Sequence, residues 1–366
     1  YGADVVKIER PGQGDDTRQW GPPWLGSESA YYLSANRNKR SVTVDIRTDS
    51  GQQLIRDLAG KADVLLENFK TGTLGRYDLD PQDLMQQNPG LIVCSISAFG
   101  QSGSRASEPG YDAMIQASGG LMSVTGPPDA EGGGPQKVGV AIADIMAGMY
   151  ATTAVLAALH ARAGTGRGQR IDIPLYDSQV AWLANQNMNY LVGGVVPGRM
   201  GTAHPNLAPY QAFATSDGNL MLAIGNDRQF GDCTETLGVP TLAQDAAYAS
   251  NAARVENRAE LIPILQEALL RKSTAFWLDA FAARGVPAGP INDIGEVLGN
   301  DHARERRLVR HLENGAGDRV PTVANPVSLD KTPVRYDRAP PLLGEHTEEV
   351  LREWLGYSAE VIAELR

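Results

Sequence analysis

Asp144 lies in the stretch VAIADIMAGMY, just ahead of a long run of uncharged residues. The N–H groups of a helix's first turn stabilise a carboxylate placed there, and a carboxylate can attack an activated carbonyl to form a covalent intermediate. An ordinary first-turn aspartate would look the same, so the residue alone leaves both readings open. Glu9-Arg10-Pro11-Gly12 directly follows a strand-like stretch. Ligands of open α/β sheets bind beyond the carboxyl ends of strands, which places Arg10 to meet a phosphate. Asn36–Arg40, NRNKR, concentrates cations in an acidic chain, and Arg47 and Arg76 follow further strand-like stretches. Phosphate recognition and a solvated loop both account for such a pattern. His204, in GTAHPNLAPYQAF, suits a positioned acid–base group or a turn.

Other chemistries find no support. No GxGxxG, P-loop or GxSxG pattern is present; Gly164–Gly168, GTGRG, lies after a helical stretch and before a strand, where its glycines serve a cap and turn. Two cysteines, Cys94 and Cys233, and five scattered histidines argue against a disulfide scaffold or a metal site. A net charge of −10 argues against a nucleic-acid partner. The uncharged run Ile145–Leu159 is shorter than the roughly 20 apolar residues of a membrane span and reads as a buried helix. The opening Tyr1-Gly2-Ala3-Asp4 is not the start of a signal peptide and lacks an initiator Met, so an upstream segment and a cytoplasmic location are expected.

Positioning these residues falls to strands at 2–9, 41–46, 63–68, 91–99 and 169–174, alternating with helical stretches at 48–62, 81–87, 140–162 and 177–191. That alternation predicts βαβ units and a mostly parallel sheet. Residues 104–139 read as irregular, with a mobile Gly/Pro tip. The character then changes: a linker at 192–209, a hairpin with an Asp-Gly turn between 210 and 224, helices at 227–236, 259–271 and 274–284, an extended passage at 285–292, a helix at 294–310, strand-like residues at 319–336 and a last helix at 346–355. The expected organisation is a large Rossmann-like domain over 1–191, a linker over 192–209, a small α+β domain over 210–284, a return linker over 285–339 and a C-terminal segment, 340–366, packing back on the large domain.

Taken together these motifs resemble the family III CoA-transferases (CaiB/BaiF type), over nearly the whole chain. The resemblance is carried by GADVVKIERPGQGDDTR (2–18), NRNKRSVTVDI (36–46), ADVLLENFKTGTLGR (62–76), SISAFGQSG (95–103), GYDAMIQASGGLM (110–122), the Asp144 helix, TGRGQRIDIPLYDSQ (165–179), GVPAGPIND (285–293) and PPLLGEHTEEVL (340–351). YYLSANRNKRSVTVDI (31–46) and GTAHPNLAPYQAF (201–213) are most similar to the succinyl-CoA–glutarate type, which implies dicarboxylate substrates. The family fold implies an α/β CoA-binding domain plus a small α+β domain, in an interlocked homodimer. Members normally begin with about thirty more residues, including a first strand.

The resemblance implies that Asp144 becomes covalently acylated, and that Arg10, Val44, Arg47, Asn68, Phe69 and Arg76 line the CoA site. Tyr111 matches a further ligand position, where the family's racemases carry a catalytic His. Its usual pKa near 10 makes Tyr a poor substitute, which favours transfer over racemisation. CoA is then a substrate and no cofactor is held permanently. A dicarboxylate needs a cation for its distal carboxylate; by position Arg199 is the first choice and Arg18 the second, with His204 alongside. Backbone N–H groups at the start of the Asp144 helix are the expected oxyanion donors. The alternatives are a 2-methylacyl-CoA racemase, a non-catalytic CoA-binding subunit and, weakest, a nicotinamide-dependent oxidoreductase.

Overall fold

The computed structural model describes residues 1–364 and divides into two compact units. The first comprises residues 1–111, 144–178 and 294 onward; the second comprises 112–143 and 179–293. The second unit therefore takes in 112–143 and 179–191, which the sequence had suggested for the large domain, together with the linker 192–209 that was expected to precede a small domain at 210–284.

The first unit is α/β. Strand Val5–Glu9 pairs in parallel with Lys39–Thr43, with Glu9 opposite Thr43. A second parallel sheet holds Val64–Glu67, Ile92–Ser97 and Arg170–Pro174, in that order. The expected parallel pairing is present, in two hydrogen-bonded sheets. Helix Asp49–Lys61 begins at Thr48, whose hydroxyl caps Gly51 N–H. It packs Leu54 and Leu58 on Val42, Val44, Val350 and Leu351.

A buried ion cluster ties this unit together. Arg18 reaches both carboxylate oxygens of Glu9 at 2.8 Å and Glu28 at 2.7 Å, and donates to Tyr32 Oη and the Pro341 carbonyl. Glu9 also accepts from Ser41 Oγ at 2.7 Å and Asp15 N–H at 3.0 Å. Gly14 is required here: its φ is +69°, and a Cβ would stand 2.9 Å from Arg18 and Glu9 atoms. Burial alone would raise the Glu9 pKa, but hydrogen bonds from Arg18, Ser41 and Asp15 outweigh it and hold the carboxyl below its ordinary value. Glu28 goes the other way: burial, helped by the charge of Glu9, outweighs Arg18 and raises it.

The helix Ile142–Thr165 differs from expectation. It buries a stripe of small residues, Ala143, Ala147, Ala151 and Ala158, while Ile145, Met149 and Leu156 are more than half exposed. Only 22% of its apolar window is buried within the chain, so it is not a core helix of this chain by itself. Among the described residues it is the one helix long and apolar enough to cross a membrane.

The second unit has an antiparallel sheet, with Asn219–Ala223 between Tyr210–Ala214 and Ala288–Pro290. Phe213, Leu220, Leu222, Phe230, Leu261, Leu265, Trp277 and Phe281 form its core. The supposed irregular region contains helices Asp112–Ser118 and Leu121–Val124. The Gly/Pro tip is folded and pinned: Gly133 N–H bonds Pro128 O, and Arg199 pairs with Asp129. The helix expected over 177–191 is two, because Asn187 takes the Val180 carbonyl at 2.6 Å and Ala184 turns to φ +47°. In the first unit, the helix expected over 294–310 is two, Ile294–Gly299 and Asp301–Glu305, the second capped by Asn300. Val309–Glu313 alternates in burial and pairs antiparallel with Arg319–Val323.

Arg18→Met should cost about 3–5 kcal/mol in urea unfolding, because it strands two buried carboxylates. Because the Glu9 pKa is depressed, its stabilisation is complete above its unfolded value of about 4.5 and disappears as pH falls through the folded value; the raised Glu28 contributes with the opposite sign. At pH 7 Glu9→Gln should lose stability while Glu28→Gln keeps or gains it. Equal losses would contradict this assignment of charge.

Candidate functional site

Asp144 lies in the first turn of the long helix, with its side chain exposed. Within the second unit, the residues that lead into and open the helix, up to Ala143, are held by the Asp112–Ser118 helix. Asp112 Oδ1 accepts the Ala143 N–H at 2.7 Å, and its Oδ2 accepts Gln116 Nε2 at 2.6 Å. Gln116 is fully buried, and its Oε1 accepts Val138 N–H at 2.8 Å. Ile142 N–H bonds the Val140 carbonyl. Two N–H groups expected to receive an oxyanion are therefore occupied by Asp112 and Val140. Sequence reasoning missed Asp112 and Gln116; the only signal was their adjacency to Tyr111 in GYDAMIQ.

The CoA-lining candidates in the first unit sit at strand ends. Arg10 and Val44 follow the paired strands Val5–Glu9 and Lys39–Thr43, and Val44 N–H bonds the Glu9 carbonyl at 2.8 Å. Val44 is buried, whereas Arg10 is exposed and pairs with Asp16 at 2.5 Å. Arg47 forms a two-pronged pair with Asp45, at 2.8 and 2.7 Å; hydrogen bonds from Arg47 hold the Asp45 pKa at about 2. Asn68 and Phe69 follow Val64–Glu67, both exposed, with Phe69 N–H on Glu67 Oε2. Arg76 closes the turn Leu74–Tyr77 and donates to Thr73 Oγ1 at 3.0 Å. A cavity of about 180 Å³ opens on the same loop, lined by Glu67, Lys70, Asp80, Gln101 and Arg170 among others. Tyr111 is exposed at the end of the first unit.

The other candidates fare differently. Arg18 is 3% exposed and its donors are engaged by Glu9, Glu28, Tyr32 and Pro341. It is a structural charge, and its proposed role as a substrate receptor is withdrawn. The NRNKR cations are likewise engaged by other parts of the chain. Arg40 is buried against Asp4, Glu349 and Glu353, and Arg37 bonds the Val323 carbonyl and Thr322. Lys39 bonds Asn36 Oδ1, and burial lowers its pKa to about 8. Arg199 and His204 lie in the second unit. Arg199 pairs with the exposed Asp129 and bonds Pro127 O at 3.3 Å. His204 Nδ1 accepts Asn206 N–H at 3.1 Å, and its ring lies 5.3 Å from Tyr210. Partial burial, and secondarily the charge of Arg258, lowers its pKa.

Cys94 and Cys233 are free and buried, and burial pushes Cys233 up to about 12, so neither is a reactive thiol. Among the described residues no three His, Cys, Asp or Glu side chains are grouped to hold a metal ion.

Comparison with known proteins now adds to this geometry. The family model for CoA-transferase family III matches residues 1–347. The succinate–glutarate CoA-transferase of Agrobacterium fabrum is 46% identical over 96% of this chain and 89% of that protein. The human succinyl-CoA:glutarate CoA-transferase is 42% identical over all of this chain and 82% of its own length. Among solved structures, a CAIB/BAIF family protein from Brucella suis superposes with a TM-score of 0.83 at 45% identity, covering 96% of this chain and 92% of that one. Rv3272 from Mycobacterium tuberculosis gives 0.82 at 32% identity, covering 95% and 90%.

Proposed function

The chain belongs to CoA-transferase family III and is a CoA-transferase, and on that premise we propose that it moves CoA from succinyl-CoA to glutarate through acylation of Asp144. The observation that carries this reading is an exposed carboxylate in the first turn of a long helix, in a chain 46% identical to a succinate–glutarate CoA-transferase.

The Asp144 carboxylate attacks the succinyl thioester carbonyl. The C–S bond breaks and CoA leaves as thiolate, with a succinyl–aspartyl anhydride left behind. The thiolate attacks the aspartyl carbonyl of that anhydride, expelling succinate and forming an aspartyl-CoA thioester. A glutarate carboxylate attacks this thioester and releases the thiolate again. The thiolate then takes the glutaryl carbonyl of the new anhydride, giving glutaryl-CoA and restoring the Asp144 carboxylate. Each step exchanges one activated acyl bond for another, so the thioester's energy is kept only while water stays away from the anhydride.

Arg10, Arg47 and Arg76 are the proposed CoA phosphate contacts, with Val44, Asn68, Phe69 and Tyr111 lining the rest. The present partners of Arg10 and Arg47 are surface carboxylates. Such pairs are weak and screened by salt, so a phosphate can replace them at little cost. With Arg18 buried, Arg199 is the proposed receptor for the distal carboxylate of the dicarboxylate. We also propose the interlocked homodimer: a second copy would cover Ile145, Met149 and Leu156 on the long helix, which this chain leaves exposed.

Product analysis should show glutaryl-CoA formed from succinyl-CoA and glutarate, and Asp144→Ala should lower that rate by about a thousandfold or more, since the covalent route needs the carboxylate; near-native turnover in the variant would refute the mechanism. Arg199→Ala should raise KM for glutarate about tenfold or more without weakening binding of CoA itself, as loss of a charge-assisted bond does, while Asp129→Asn should leave KM unchanged. If both variants behave alike, Arg199 only anchors the 127–129 turn. Light scattering should give twice the 39.1 kDa chain mass; a stable monomer would refute the dimer.

A further inference from the structure

We infer that Asp112 is a positioning residue for the Asp144 nucleophile, fixing where the long helix begins and so where its third residue stands. The inference rests on the reading of Asp144 as the acylated group.

The segment 138–143 approaches the helix without regular structure before Ile142. It is held at three points by one short helix. Gln116 Oε1 takes Val138 N–H at 2.8 Å, and its Nε2 lies 3.4 Å from the Val140 carbonyl. Asp112 Oδ1 takes the N–H of Ala143 at 2.7 Å. The two side chains are joined, Gln116 Nε2 donating to Asp112 Oδ2 at 2.6 Å. Gln116 is 0% exposed and Ala143 is 1% exposed, while Asp112 between them is half-buried. The clamp satisfies a helix N–H that would otherwise lack a partner and pins the peptide immediately before Asp144.

Two consequences follow for the chemistry. The first turn cannot fray or shift register without breaking the Asp112 bond, so the nucleophile's backbone is preorganised, and small displacements of a reacting group are costly in rate. The Ala143 N–H is also withdrawn from the oxyanion role. The groups that hold the tetrahedral oxyanion must then lie elsewhere.

The test compares Asp112→Ala, Asp112→Asn and Gln116→Met in the full chain with succinyl-CoA and glutarate. Asp112→Ala should keep its affinity for CoA and lower kcat about ten- to a hundredfold, with KM little changed. Asp112→Asn keeps the Oδ1 acceptor for Ala143 N–H but sets its amide NH2 against the Gln116 Nε2 donor, so its kcat should stay below that of wild type. Gln116→Met should lower kcat in the same sense by less, and it carries the test if Asp112→Ala does not fold. Wild-type kcat in folded Asp112→Ala or in Gln116→Met overturns the inference. If Asp144→Ala is inactive in the same assay, those results refute the positioning role alone. If transfer survives Asp144→Ala, the nucleophile reading falls and this inference with it.

Discussion

Arg18 sits where four segments of the first unit meet: the end of strand Val5–Glu9, the loop that follows it, the Glu28–Tyr32 stretch and the Pro341 carbonyl. One guanidinium faces two buried carboxylates, and the balance is tipped by neutral donors, Ser41 Oγ and Asp15 N–H, which also bind Glu9. Ser41 in turn accepts Gly344 N–H, so the C-terminal stretch is bound to the same point. Buried charges this close are costly unless paired; both oxygens of Glu9 are paired, while Glu28 is held through Oε1 and its Oε2 has no hydrogen-bond partner. The cluster therefore dictates one path for the loop that leaves the strand, and with it the place of Arg10. A residue chosen from the sequence as a ligand for substrate proves to be a buried charge that orders the end of the strand.

The long helix meets a different constraint. Its buried face is made of alanines at positions 143, 147, 151 and 158, which allow close backbone approach, while its bulky residues point outward. A helix with this division does not gain much by burying itself in one chain. Its first turn, however, is fixed with care, by a buried Gln and an Asp acting on consecutive parts of the preceding segment. Stability at the start and exposure along the flank are compatible with a helix that presents a nucleophile at one end and an apolar face to a second copy.

Much of this was legible in the residues. The strands of the first unit are short β-branched runs separated by helical spacing, and the parallel pairing followed from that alternation. Asp144 stood out because it precedes an uncharged run. The hairpin with Ser216-Asp217-Gly218 and the core helices after it also read correctly, since turn chemistry and apolar periodicity are local signals. Errors arose where partners are distant in sequence. Nothing near Arg18 announces that it will contact a carbonyl 323 positions away, and Arg40 finds Glu349 and Glu353 more than 300 positions on. Asp112 lies 31 positions from the N–H it binds. Local composition describes a loop with cations; it does not say which of them the fold will neutralise.

The most direct measurement of the central claim is intact-protein and peptide mass spectrometry after incubation with succinyl-CoA, with and without hydroxylamine, on wild type and Asp144→Ala. The account predicts a CoA thioester or succinyl adduct on wild type, converted by hydroxylamine to a hydroxamate on the peptide containing Asp144, and no adduct on the variant. An adduct mapping to another residue, or turnover to glutaryl-CoA with an unmodified Asp144 throughout, would contradict it.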